Sequence, residues 1–548
     1  MSRQFVMRHP KPELAAKYLQ AGIWDDRTMA QELEAGLRRW PELRYRIWSD
    51  VRPFDGPFAE IEVRAKRFAG YLRKIGVQPG DMVSFQLPNW IETVETFLAT
   101  LFVGAISLPV VHTYGAREMK FLLTQSGAKV HVTARRFRSI DYQSMMESIA
   151  PDLPDLEHIL YVEDWDMFLA EPPIESIHVA HPDEAAVINY TSGTTSDPKG
   201  VIKTNRICVA ELRQRLMQEP GETRPLPLDP PEGYNHWLTA SPLGHGGGLQ
   251  TGVEMPIMLG RSAQLIDHWD VDKVLDILSR GEVSLGACAT FFFNSLVNHP
   301  RFGPEHLDRM RFMAAGGAPV PRAFGEQCDR MGVKLLRGYG LSEHHSVSGS
   351  SFDDSLDKRI GTDGRPLAYV ELELRDDDGK SVPVGTPGVI HTRGPDLFVG
   401  YIDSSLNDEC FDEEGWFCTG DYGVLDADGY LTITDRIKDI IIRGGENVSA
   451  SEVENAVATM PEVLEIAVIA APDARMGEVV CAAIRLRGGA ETPDLEQVRR
   501  HCADAGLARQ KWPELLLVVE EFDRTPSGKI KKVVLREELR RQSAGGGE

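Results

Sequence analysis

The residues Tyr190-Thr191-Ser192-Gly193-Thr194-Thr195-Ser196-Asp197-Pro198-Lys199-Gly200 gather the groups that hold a polyphosphate. Four hydroxyls from Thr191 to Thr195, free backbone N–H groups and the ammonium of Lys199 lie in one short stretch. An apolar run, Ala185 to Ile188, precedes it and Val201-Ile202-Lys203 follows, so it reads as a loop between two strands. Taken alone it serves equally as a surface linker. It is no Walker loop, because Lys199 precedes Gly200 and a strand follows where a helix would have to begin.

Five more motifs follow in order: Gly316-Gly317-Ala318-Pro319, Tyr339-Gly340-Leu341-Ser342-Glu343, Thr419-Gly420-Asp421, Asp435-Arg436-Ile437-Lys438-Asp439 and Pro526-Ser527-Gly528-Lys529. Glycines after a strand let a flat ring lie against bare backbone. Tyr339 offers a face for stacking, Glu343 a hard oxygen for a magnesium ion, and Asp421 a carboxylate able to accept from both hydroxyls of a ribose. Each has a plainer reading by itself: a strand-to-helix turn, a turn aspartate, a solvated lysine beside Lys531 and Lys532.

Together the six motifs resemble the adenylate-forming superfamily of acyl-CoA synthetases, adenylation domains and beetle luciferases, over Phe58 to Glu538. The resemblance implies ATP, Mg²⁺ and CoA as cofactors. It places Thr191, Ser192, Gly193, Thr194, Thr195 and Lys199 on the phosphates, with Thr191 and Glu343 on the metal. Gly316, Gly317, Ala318, Pro319, Gly338, Tyr339, Gly340 and Ser342 line the adenine and acyl pockets, Ser342 standing where the family has threonine. Asp421 and Arg436 hold the ribose, Lys438 is the pivot between two domains, and Lys529 reaches the α-phosphate and the substrate carboxylate. His245, in Ser241-Pro242-Leu243-Gly244-His245-Gly246, matches an element that gates the acyl pocket, and a structural histidine competes with that reading. Gly445 matches a turn beside the pantetheine tunnel, and a plain hairpin turn competes. Small residues at Ala287, Ala289, Ala315, Gly316 and Gly338 leave room for a bulky acid. Phe291, Phe292 and Phe293 are expected to wall it, and no cation is visible for a second carboxylate.

The implied activity is AMP-forming ligation of a hydrophobic carboxylic acid, a medium- or long-chain fatty acid or an alicyclic acid, to CoA. Two alternatives stay open: an acyl-AMP ligase serving a carrier protein, and a non-catalytic nucleotide-binding member of the fold, which would have lost Lys529, Glu343 or Asp421.

The elements that must position these residues alternate between helix and apolar strand, the pattern of an α/β fold with doubly wound sheets. Residues 1–57 read as a packing cap with two short helices and Trp24, Trp40 and Trp48; residues 58–359 as doubly wound subdomains; residues 360–435, with turns at Asp376-Gly379 and Asp426-Gly429, as a small β-barrel. This adenylation domain, 1–437, is followed by a mobile α+β lid, 438–540, and a disordered tail, 541–548.

The net charge of −22 argues against nucleic acid as a partner. Sites for anionic ATP and CoA must then be locally basic, and Lys529, Lys531, Lys532, Arg436, Lys438 and Arg443 are the candidates. Seven scattered cysteines without a CxxC pair, and a start lacking an apolar signal core, lead to an expected cytoplasmic location with reduced thiols and no zinc site. The most apolar window, Phe97 to Val111, is too short and too broken to span a bilayer, so no integral membrane segment is expected. A homodimer is compatible with the chain.

Overall fold

The computed structural model describes residues 5–191, 198–216, 237–281, 283–285, 290–317, 320–376, 378–436, 439–444, 446–473, 475–525 and 528–545. A six-stranded sheet runs in the order Gly200–Thr204, Ala185–Tyr190, Ile106–Val110, Met82–Gln86, Val130–Thr133, His158–Tyr161. Only the first pair is antiparallel. The helix Ile91–Phe102, which connects two of these strands, is buried along its whole length. Its polar side chains are matched accordingly: Glu92 by Arg52, Glu95 by Arg64 and Trp165, and Thr96 and Thr100 by carbonyls one turn back. From Met82–Gln86 the chain passes first to the strand on one side and then, through the helix Ala116–Ser126, to the strand on the other. Such a reversal opens a crevice at the carboxyl ends of the strands.

A second sheet pairs Trp237–Thr239, Ala263–Ile266 and Arg44–Trp48 in parallel and adds Phe54–Pro57 antiparallel. The expected cap therefore holds its two helices, Pro12–Gln20 and Met29–Arg39, and also gives two strands to this sheet. The reason is the alternation of buried Tyr45 and Ile47 with more exposed Arg44, Arg46 and Trp48. A third sheet pairs Phe312–Gly316 with Lys334–Tyr339 in parallel. Ser284 and Leu285 bridge the two, Ser284 accepting from Leu238 N–H and Leu285 N–H donating to Arg309.

The antiparallel unit comprises Glu371–Arg375, Gly388–Arg393, Phe417–Leu425 and Leu431–Arg436. In the C-terminal part Ile441–Arg443, Val463–Asp473 and Leu515–Val518 all pair with Gly477–Leu486, covered by the helices Ala450–Val457, Leu495–Asp504 and Lys532–Gly545. Among the described residues no helix is long and apolar enough to cross a membrane. The six described cysteines are free thiols.

Candidate active site

A cavity of about 740 Å³ lies where the strand ends of the large sheets, the antiparallel unit and the C-terminal part converge. That volume suits a small-molecule ligand. Fourteen of the candidate residues reach its wall: Thr191 and Lys199 from the hairpin base, His245, then Ala315, Gly316 and Gly317, the run Gly338, Tyr339, Gly340, Ser342 and Glu343, and finally Asp421, Arg436 and Lys529. Ser192, Gly193, Thr194, Thr195, Ala318, Pro319, Lys438 and Gly445 lie outside the described residues, as do Ala287 and Ala289.

Gly316 and Gly338 face each other across paired parallel strands, and a Cβ on Gly316 would come within 2.8 Å of the Gly338 carbonyl oxygen. Bare backbone is required there. Beside it the Tyr339 hydroxyl donates to Asp421 Oδ2 at 2.6 Å, and Arg436 Nε pairs with Oδ1 at 3.0 Å. Burial first and then the Asp421 charge push the Tyr339 hydroxyl pKa well up, so it remains a donor. Asp421 is thus oriented from two elements, its own strand partner Arg436 and the neighbouring sheet's Tyr339.

Glu343 is fixed by Tyr401, whose hydroxyl donates to Oε1 at 2.7 Å. Tyr401 itself is held because Gly400 to Ile402 pairs with the edge strand Gly200–Thr204. Its ring carries the Lys199 ammonium at 5.0 Å, a cation–π contact. At the hairpin base Thr191 N–H donates to Lys199 O, and Lys199 N–H donates to Thr191 Oγ1. Tyr401 therefore links the loop to Glu343, a role invisible in an apolar run ending in Gly-Tyr. Among the described residues no group of three His, Cys, Asp or Glu could hold a metal. One carboxylate and one hydroxyl suit a Mg²⁺ ion carried largely by phosphates and water, and do not suit a zinc cage.

Lys529 comes from the C-terminal part on a tight turn. Its N–H donates to Thr525 Oγ1 at 3.1 Å, Gly528 N–H to Thr525 O at 2.8 Å, and Gly528 sits at φ +86°. Arg524 braces the turn: it donates to Gly528 O, pairs with Glu465 and lies over the Phe291 ring at 4.5 Å. A Cβ on Gly317 would stand 3.9 Å from Lys529 Cε. Of the expected basic runs only Arg436 and Lys529 line the cavity among the described residues; Lys532 is engaged by Glu454 and Arg443 by Glu514.

His245 caps the short helix Gly246–Leu249, accepting Gly247 N–H at Nδ1. Burial, with Lys529, His345 and Lys203 nearby, lowers its pKa to about 3, so the ring is neutral. The expected phenylalanine wall is absent here: Phe292 and Phe293 pack in the core of the second and third sheets, and Phe291 beneath Arg524. One cation that the expectation about a second carboxylate did not consider, Lys203, lies in the cavity wall with Gln250 and His345. The carboxylate behind them is Glu211, which accepts from Lys203 Nζ at 3.0 Å, from Gln250 Nε2 and from His345 Nδ1. These four come from four separate segments and share no motif.

A family model described as AMP-binding enzyme matches residues 52–402, and one described as AMP-binding enzyme C-terminal domain matches residues 452–529. The medium-chain fatty-acid–CoA ligase of Escherichia coli (strain K12) is 31% identical over 538 residues, 96% of this chain and 93% of that enzyme. A methyl-dioxo-octahydroindenyl propanoyl:CoA ligase of Rhodococcus jostii (strain RHA1) is 32% identical over 533 residues, 93% of this chain and 98% of that enzyme. The crystal structure of ATP-bound MatB from Rhodopseudomonas palustris superposes with a TM-score of 0.81 at 27% identity, covering 94% of this chain and 99% of that one.

Proposed function

Because the chain belongs to the AMP-binding enzyme family and relatives about 30% identical to it are named CoA ligases, we propose that it joins a hydrophobic carboxylic acid to CoA through an acyl adenylate. The observation that carries this reading is the shared cavity: Lys529 from the C-terminal part lines the same space as Glu343, Asp421 and Arg436. The acid is a medium- or long-chain fatty acid or an alicyclic acid. The names of the two relatives support both shapes, one a medium-chain fatty acid and the other a propanoyl group on a bicyclic body. Free cysteines accord with a cytoplasmic setting.

The substrate carboxylate is ionised at neutral pH and needs no base to attack the α-phosphorus of ATP, forming the acyl adenylate as the bond to the β-phosphate breaks and pyrophosphate leaves. The barrier lies in bringing anions together and stabilising charge on the transferring phosphoryl, so positioning and electrostatics carry the step. Tyr339 and the Gly316–Gly338 backbone receive the adenine, Asp421 and Arg436 the ribose hydroxyls, and Thr191 and Lys199 the phosphates. Lys529 holds the α-phosphate and the acid together, while His245 stands at the acyl pocket. Glu343 with Thr191 would hold a Mg²⁺ ion, which supplies neutralisation of phosphate charge. For the second half-reaction Lys529 withdraws as the C-terminal lobe, from about residue 438, turns about Lys438. Gly445 then borders the path of the CoA thiol, whose sulfur gives up its proton and bonds to the acyl carbon as AMP leaves.

Acid-dependent ATP–pyrophosphate exchange over a panel of carboxylic acids, repeated with CoA, tests the reading. Exchange with acids of apolar body and thioester on adding CoA are expected. No exchange with any acid ends it, and adenylate without thioester moves the acceptor to a carrier protein. Glu343→Gln keeps an acceptor for Tyr401 but removes the charge, and is expected to slow exchange about tenfold or more and raise the Mg²⁺ concentration for half-maximal rate. An unchanged Mg²⁺ requirement would take Glu343 off the metal.

A further inference from the structure

Lys203, on the strand Gly200–Thr204, is 4% exposed and lies in the cavity wall. Among the described residues Glu211 is its only hydrogen-bond partner, so two of its three N–H groups remain unspent. Glu211 stands behind the wall on the helix Asn205–Leu216 and accepts from the three donors that converge on it. A carboxylate only accepts, so Gln250 must turn its NH₂ to Glu211, and His345 must spend its Nδ1 proton there. The Gln250 amide oxygen has no partner among the described residues, and His345 Nε2 is 3.8 Å from where a Cβ of Gly247, another wall residue, would be. Gln250 opens a π-helical turn, Gln250–Glu254, in an otherwise α-helical run; such turns cluster at functional sites.

A buried ion pair gives no net stability over well-packed apolar side chains, so packing alone does not account for this one at the wall of an acyl pocket. Sealing it under a plain alkyl chain would leave the Lys203 N–H groups without water or acceptor. We propose that the acid carries, besides its reacting carboxylate, a neutral polar oxygen: a hydroxyl that accepts from Lys203 Nζ and donates to the Gln250 amide oxygen or His345 Nε2, or a ketone that accepts from Lys203 alone. A second carboxylate fits less well, because Glu211 already neutralises Lys203. Burial and then the Glu211 charge push the Glu254 pKa up, which favours its neutral form. The proposal rests on the acid–CoA ligase reading and narrows its substrate to oxygenated acids of apolar body.

The test compares matched acids in ATP–pyrophosphate exchange with the full-length chain: cyclohexanecarboxylate against oxocyclohexanecarboxylate, and octanoate against ω-hydroxyoctanoate and octanedioate. In at least one pair the ketone or hydroxy acid is expected to have a kcat/KM about tenfold or more above the plain acid, because a site built for a polar group rejects the analogue lacking it. Lys203→Met is expected to bring that ratio to one or below, and Gln250→Leu to move it the same way; a ratio within one variant cancels any general loss of activity. The proposal is overturned if the wild-type chain prefers the plain acid in every pair, if neither variant moves the ratio, or if octanedioate outruns the hydroxy acid. Should the variants not fold, the wild-type ratios decide alone. Exchange with no acid at all removes the ligase reading, and the proposal with it.

Discussion

Lys529→Ala is expected to lower acid-dependent ATP–pyrophosphate exchange by about a hundredfold or more, the loss of about 3 kcal/mol that follows removal of one preorganised donor at a developing charge. The ammonium stands on a backbone tied at both described ends: Thr525 accepts from Gly528 and Lys529 N–H through carbonyl and hydroxyl, Gly528 takes the positive φ, and Arg524 links it to Glu465 and Phe291. Removing the side chain beyond Cβ leaves that scaffold in place, so folding should be unaffected. Thioester formation from synthetic acyl adenylate and CoA should continue at close to the wild-type rate, because Lys529 is assigned only to the first half-reaction. The two assays run on one preparation separate a role in adenylation from general damage. Equal loss in both halves would overturn the assignment.

Arg524 suits the rotation proposed for the C-terminal lobe. It is the side chain through which the Lys529 turn rests on Phe291, by a cation–π contact rather than a saturated ion pair across the gap. Its partner Glu465 belongs to the C-terminal part and travels with it. A contact of this kind is released without leaving a charge unpaired, as the proposed rotation would require.

What the sequence made legible was what lies in short contiguous runs. Asp421, Arg436, Glu343 and Lys529 stand in motifs that announce them, and the structure gathers all four around one cavity. The helix Ile91–Phe102 follows from a long apolar stretch, because a segment buried on every side cannot hide its composition. Tyr401 was illegible for the opposite reason: its importance comes from edge pairing with Gly200–Thr204 and from the two residues it touches, Glu343 and Lys199, which are 144 positions apart in the chain and meet only through folding. Lys203, Glu211, Gln250 and His345 have the same character. Three phenylalanines in a row looked like a pocket wall, yet on a helix successive side chains point in different directions, and two of the three turn into the core. Basic residues misled in the same way, since Arg443 and Lys532 are already spoken for by Glu514 and Glu454.

Asp421→Ala is expected to raise the KM for ATP about a hundredfold or more, since hydrogen bonds to a charged group contribute about 1.5–3 kcal/mol each and two ribose hydroxyls would lose theirs. It should also destabilise the fold by about 1–3 kcal/mol, because Tyr339, 8% exposed, is left with a hydroxyl lacking its acceptor. Arg436 adds little to that cost: its side chain is 46% exposed, so solvent screens the pair. Asp421→Asn separates the two effects. The amide oxygen still accepts from Tyr339, so most of the stability should return, while loss of the negative charge should keep the KM for ATP well above the wild-type value. Thermal melting and ATP titration of exchange, run on both variants, read the two quantities independently. A fall in stability with an unchanged KM for ATP would make Asp421 a strut for Tyr339 and Arg436 and remove it from the nucleotide. A raised KM in Asp421→Asn at near wild-type stability would leave the ribose as the group whose binding depends on that charge.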